Sequence, residues 1–550
     1  MDAAAPPPRF PCWIPAGGLL LAALYLPTLA TPFDFIDDGN LVYPSEPTDA
    51  AGHVGLWWEK VRANYDHLGP FRPTLWVHWQ VQANLFGGDA AAWRVYRFAW
   101  CALAAAALLW LLRELRVPPV AALAAAALAM WNPYRNEIWT SLTLAEGVAM
   151  PYALVALVAA RKAALARRPL AWEVTAALAV LVALGCKNTF AALVPVQVAL
   201  RMWPEGLSLR EAWARNGRRA LALGVTLLLP AAHFVYFKLH WHPGQYETHG
   251  PSLAQLGRIL GGLKGAMSLE FMGAGVALAL AAVWVGRKNL TPQPPSLRGK
   301  GEPDQASSPL APPSLLGKGA GGVRFFITYR PALTCAALLL AGGVAMYLPM
   351  AMISGRYAMP AVWGLDILFA LLLTALAAAP LTVWKKAAWA GVYTGLAVVA
   401  VAGVGKQEKF AARARMLWDA ARYVEATAPP GAAVAWMSGD GTKGGLNVEE
   451  GIHFQWHLYH RGRGDVRIGL FDESGHPLER TELRPLDGPP QYALFGKVEP
   501  GGWEPERSFA AAYWLGRKRY DCQLGRKSPP GLHASTRILS SGPCLLTPDP

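Results

Sequence analysis

Asp34, Asp37 and Asp38 bring three carboxylates within five residues, directly behind an apolar run from about Phe10 to Leu29. Neighbouring acids at a low-dielectric boundary repel one another, which raises a pKa and equips one as a general base or the pair as cation ligands. Asp38-Gly39 is equally a turn signal, so a solvated acidic turn stays open beside the chemical reading. Five arginines follow, Arg62, Arg72, Arg94, Arg97 and Arg135. Their planar forks suit phosphate oxygens, with ordinary lipid headgroups as the alternative for each. Lys187 and Arg356 add cations beside apolar runs, where phosphate binding competes with snorkelling or interfacial anchoring. Glu137 and Glu146 flank a corner, and acceptor binding, capping and solvation would each account for them. His240, His242, Glu247 and His249 share one segment, but Pro243-Gly244 breaks helical geometry and no two of the histidines have the i, i+4 spacing of a helical zinc site. An exposed loop is the better explanation there.

The elements that must position these residues are apolar. Of 550 residues, 53% are hydrophobic and only 16% charged, where a soluble chain carries about a quarter. Twenty-three tryptophans fit the enrichment of Trp where membranes meet water. The net charge of +14 sits beside apolar runs rather than in a basic stripe interleaved with aromatics, which argues against nucleic acid. Arg9 and the first apolar run resemble a secretory signal, but Pro27, Pro32 and Phe33 occupy the place of a cleavage site, so an uncleaved span is expected.

Hydropathy places eleven spans near 13–31, 93–112, 117–131, 141–160, 172–186, 189–203, 219–238, 267–286, 332–352, 360–380 and 387–404. Three of these, 117–131, 172–186 and 189–203, are short for a hydrocarbon core of about 30 Å. Charge tests the layout independently. With Met1 cytoplasmic, Arg113/Arg116, Arg161/Lys162/Arg167/Arg168, Arg201/Arg210/Arg215/Arg218/Arg219, Arg287/Lys288 and Lys385/Lys386 all fall on the inner side, as the positive-inside bias requires. The expectation is a polytopic α-helical membrane protein of an inner or plasma membrane. A membrane domain 1–404 carries a first outer loop at 32–92, in which Trp57, Trp58, Tyr65, Trp76 and Trp79 give an interface-hugging character. Residues 73–86 read as a helix lying in the interface.

Residues 289–325 are Pro-, Gly- and Ser-rich and nearly repeat Pro294-Pro295-Ser296-Leu297 as Pro312-Pro313-Ser314-Leu315. They read as a disordered cytoplasmic insertion, lacking the apolar surface to offset chain entropy. From 405 to 550 the composition turns soluble and predicts a small α/β domain on the outer face. An amphipathic helix at 407–426 precedes strands at Ala432–Met437, Val466–Asp472 and Tyr492–Phe495, with a helix Val448–Tyr459 between the first two strands. Cys12, Cys101, Cys186 and Cys335 lie in or beside spans, whereas Cys522 and Cys544 share the tail and are expected to pair in an oxidising compartment.

Taken in order, several of these segments carry a resemblance. Phe35-Ile36-Asp37-Asp38-Gly39, Phe71-Arg72-Pro73-Thr74-Leu75 and Leu85-Phe86-Gly87 resemble the first outer loop of GT-C-type membrane glycosyltransferases. The pattern is most similar to the protein O-mannosyltransferase-like branch, including relatives that carry tetratricopeptide repeats. Asn132-Pro133-Tyr134-Arg135-Asn136-Glu137-Ile138-Trp139 with Glu146, Leu184-Gly185-Cys186-Lys187-Asn188 with Pro195, and Gly355-Arg356-Tyr357-Ala358-Met359-Pro360 extend it over roughly 10–404. The chain departs from the family at Asn188, where an acid usually follows the lysine, and at Gly39, and it has no tetratricopeptide repeats. These departures leave the substrate open and are compatible with an inactive descendant.

The resemblance implies a GT-C-like transferase that takes a sugar from a polyprenyl-phosphate carrier on the outer face. Asp37 would be the general base and Asp38 would orient the acceptor or help bind a divalent cation, the one cofactor considered. Arg356 would hold the lipid phosphate, with Lys187 as a second candidate and Arg72, Glu137 and Glu146 lining the substrate sites. The acceptor, whether protein, lipid or glycan, is not specified. Two other function classes compete. A transporter or lipid flippase would share the spans but often shows internal repeats and interrupted helices in matching halves, a symmetry not seen in this sequence. A membrane anchor presenting a binding domain would put the function in 405–550.

Overall fold

The computed structural model describes residues 11–36, 38, 50–68, 71–203, 207–232, 320–347, 359–379, 382–439, 446–472, 474–479, 488–496, 503–513 and 518–527, with isolated positions among 235–261 and 483–486. The chain divides into two compact units. One comprises Met1–Ala30 with Ser45–Gln407, and the other Thr31–Pro44 with Glu408–Pro550.

The first unit is helical. Among the described residues its principal α-helices are α1 Trp13–Ala22, α2 Ala50–Leu68, α3 Pro73–Phe86, α4 Ala90–Glu114, α5 Pro119–Trp131, α6 Ala145–Leu165, α7 Leu170–Cys186, α8 Leu193–Met202, α9 Leu209–Gly224, α10 Ala320–Tyr347, α11 Met359–Ala378 and the start of α12, Val383–Thr427. Among the described residues, six stretches are long and apolar enough to cross a membrane: Trp13–Ala30, Ala90–Glu114, Ala145–Leu165, Thr328–Met346, Met359–Ala378 and Lys385–Thr427. This is a membrane protein by those helices, and among the described residues they are fewer than the eleven spans expected from hydropathy.

The differences have local causes. The span expected at 189–203 is a 3₁₀ segment Asn188–Ala192 followed by α8, whose ten residues rise roughly 15 Å. The break falls where α7 ends at Cys186 and Lys187 turns extended, just before the expected span, while Pro195 is accommodated in the first turn of α8. Helices α5 and α7 coincide with 117–131 and 172–186 but are shorter than a span usually requires. The span expected at 219–238 belongs to a helical run that starts earlier, as α9 at Leu209, because Ser208 and Glu211 form a reciprocal capping box. The run passes through a 3₁₀ turn Val225–Leu227 and is helical again over 228–232, and 236–238 lie outside the described residues. Helix α10 begins at Ala320, inside the expected insertion 289–325, while 289–319 and the span at 267–286 lie outside the described residues. The span at 387–404 and the helix at 407–426 are one helix, α12, since no proline interrupts the chain between Val383 and Pro429.

In the second unit, the last turns of α12 and helix α13, Val448–Leu458, pack on a five-stranded sheet in the order β2-β1-β3-β5-β4. The strands are β1 Ala433–Met437, β2 Arg467–Phe471, β3 Tyr492–Phe495, β4 Trp503–Tyr513 and β5 Lys518–Lys527. β1 pairs in parallel with β2 and β3, whereas β3–β5 and β4–β5 are antiparallel. The two-residue period sends Val434 and Trp436 toward the helices and Ala435 and Met437 toward Phe495 and Trp503. Burial on both faces explains why β1 reads as continuous apolar sequence. The β4–β5 hairpin was not foreseen. Charged residues and Pro505 mask its alternation, and the register shifts between Pro505 and Arg507 on this edge strand. Cys522, in β5, is a free and buried thiol, and its expected partner Cys544 lies outside the described residues.

Candidate functional site

In the helical unit, a buried polar site is assembled from helix ends. Helix α3 opens with Pro73 at its first position, where a missing N–H costs nothing, and the Trp57 indole N–H donates to the Pro73 carbonyl at 2.9 Å. Helix α7 closes at Cys186, and Lys187 turns extended while its N–H still donates to Ala183 at 3.0 Å. The two ends touch. A Cβ at Gly185 would run into the Thr74 side chain, so the start of α3 packs closely on a glycine here.

Glu146 enters from the first turn of α6, an end that favours a carboxylate. The Lys187 ammonium donates to its Oε1, forming an ion pair whose side chains are 7% and 3% exposed. Arg72, at the N-cap of α3, is near enough for its charge to bear on Cys186. Its Nε–H is buried without an acceptor among the described residues. Segments around 72–74, 146 and 185–187, distant in the chain, therefore converge.

The corner 132–142 beside Glu146 is fixed by other charges. From α4, Arg94 donates to the Thr140 carbonyl, and Arg97 donates to Ser141 at 3.0 Å and also to Leu142. Arg97 fits because residue 147 is glycine; a Cβ there would stand 2.5 Å from its Nη1. Arg135 grips Asp366 of α11 with both arms, at 2.7 and 3.2 Å, and both side chains are essentially buried. Asn136 accepts from the Tyr25 hydroxyl at 2.6 Å and donates to Gly403 of α12 at 2.7 Å. Arg94, Arg97 and Arg135, expected as phosphate candidates, thus hold the corner together. Arg62 is exposed on α2, and Glu137 is exposed at the start of a one-turn helix Glu137–Thr140.

No family model and no curated protein matches this chain.

The acidic segment belongs to the other unit. Asp38 is fully buried, and its Oδ2 accepts the Asp34 N–H at 2.9 Å; Asp34 Oδ1 in turn accepts the Phe35 N–H at 2.8 Å. Asp37 and Arg356 lie outside the described residues, as do His240, His242, Glu247 and His249. Among the described residues no group of three His, Cys, Asp or Glu side chains is placed to hold a metal. In the same unit, Glu450 caps α13 by accepting the Asn447 N–H at 2.8 Å and also takes the Arg413 guanidinium. Burial lowers His453 and His457 to about 4, and for His457 the cations Arg461 and Arg422 push the same way.

Sequence reading picked out Lys187, Glu146 and Arg72, which the fold brings together, and missed Asp366. The signal was present, since a lone acid in an apolar 20-residue helix is expensive without a partner.

Proposed function

We propose that this chain is a membrane glycosyltransferase of the GT-C type that transfers a sugar from a polyprenyl-phosphate donor to an acceptor on the extracytoplasmic face. The N-terminus is cytoplasmic and the sheet domain extracytoplasmic in this scheme. One observation supports it: three segments that resemble separate motifs of that family, around Arg72, Glu146 and Lys187, are packed together in the helical unit. Asp37 takes the proton from the acceptor hydroxyl, whose oxygen attacks the anomeric carbon. The bond from that carbon to the phosphate oxygen breaks, and polyprenyl phosphate leaves with the electron pair. Arg356 offsets the charge that develops on it.

Arg72 retains a donor for the same phosphate. Lys187, already matched by Glu146, serves better to position the end of α7 than to bind an anion. Asp38 orients the acceptor or assists a divalent cation.

The test is turnover of a polyprenyl-phosphate sugar by the purified chain. Asp37→Asn should lower it by about 10²–10⁴-fold, with donor binding retained. Asp38→Asn should cost less and Asp34→Asn least. Wild-type turnover by an equally well folded Asp37→Asn protein sinks the assignment.

A further inference from the structure

Phe35 stands between the acids of the first motif, yet its ring belongs to the core of the C-terminal unit. The side chain is 2% exposed. Its ring centroid lies 5.5 Å from Trp418 of α12, and 5.8 and 6.0 Å from Phe454 and His457 of α13. Trp418 and His457 are themselves 4.3 Å apart, which makes a continuous aromatic seat. The flanking backbone is tied to this plug, because Asp34 Oδ1 receives the Phe35 N–H and Asp38 Oδ2 receives that of Asp34. A segment just behind an apolar span has no regular structure of its own to hold it; residues 31–34 are neither helix nor strand. Burying an aromatic ring supplies the anchor.

We infer that the C-terminal unit is the platform that sets the acidic segment for catalysis, and that Phe35 is the positioning residue that plugs the segment into it. The sheet domain then carries the acidic segment rather than standing as an appended module. The word catalysis rests on the glycosyltransferase reading above; the docking does not. A general base must sit within hydrogen-bond reach of its proton, and a misplacement of about 1 Å costs about 10²-fold. Loosening the plug therefore lowers kcat. The donor KM changes little, because the phosphate is assigned to Arg356 and Arg72.

The test uses the full chain in detergent and reads hydrogen exchange in peptides covering 31–38 beside turnover. Phe35→Ala and Trp418→Ala should each speed exchange in that segment. Each should cut kcat by about 10–100-fold with donor KM within about twofold. Phe35→Leu, which keeps an apolar plug and guards against a simple folding failure, should fall between. Unchanged exchange in Phe35→Ala overturns the platform, and so does faster exchange with unchanged kcat. If Asp37→Asn keeps full turnover while Phe35→Ala still speeds exchange, the glycosyltransferase reading falls and the docking stands.

Discussion

At the scale of single residues, the helical unit is governed by charges that must be matched because water cannot reach them. Lys187 with Glu146 and Arg135 with Asp366 are such pairs. Removing one partner strands the other, a loss of about 3–5 kcal/mol, whereas replacing both by apolar groups of similar size is often close to neutral. Lys187→Met and Glu146→Leu should each lower the thermal midpoint of the purified protein markedly, and the double variant should recover most of the loss. Equal midpoints for wild type and both single variants would show that the pair contributes nothing. Lys187 and Glu146 were each legible in the sequence as residues with chemistry to offer. Their pairing was not, because it depends on how α6 and α7 meet. Asp366 shows the converse, where a partner 231 positions away turns an improbable acid into a structural one.

The elements of the C-terminal unit respond to pH through α13. His453 and His457 sit at about 4 in the fold against an ordinary 6.5. Between those values the unfolded chain binds more protons than the native one, so stability rises with pH. The contribution is complete above about pH 6.5, is lost as pH falls toward 4, and amounts to roughly 3 kcal/mol per histidine. Tryptophan fluorescence from Trp418 and Trp436 should report an unfolding midpoint that drops between about pH 6.5 and 4. His453→Gln should flatten that slope, and an unchanged slope would count against the buried neutral imidazole. The strands β1, β2 and β3 and helix α13 were readable because short apolar runs and helical spacing are local signals. The β4–β5 hairpin was not, since an edge ribbon rich in charge has no strong apolar period to show.

For the whole molecule, the distribution of basic clusters makes a statement about sidedness. Arg113 to Arg219 and Lys385/Lys386 mark one face of the membrane if the positive-inside bias holds. Reporter fusions ending after residue 310 and after residue 430 should therefore report opposite compartments. Matching signals from both would overturn the topology and, with it, an extracytoplasmic sheet domain.

The sequence by itself determined the membrane as solvent, the long apolar helices and most of the tail's secondary structure, because hydropathy and periodicity are written over ten to twenty neighbouring residues. It also marked Arg72, Glu146 and Lys187 as residues of interest. Only the tertiary structure decided which charges pair, that Arg94, Arg97 and Arg135 spend their donors on carbonyls and on Asp366, and that Phe35 belongs to the core of a domain built from Glu408 onward. Those contacts join residues far apart in the chain. Their free energy comes from excluding water around groups that meet only once the helices and the sheet have packed, so no local pattern records them.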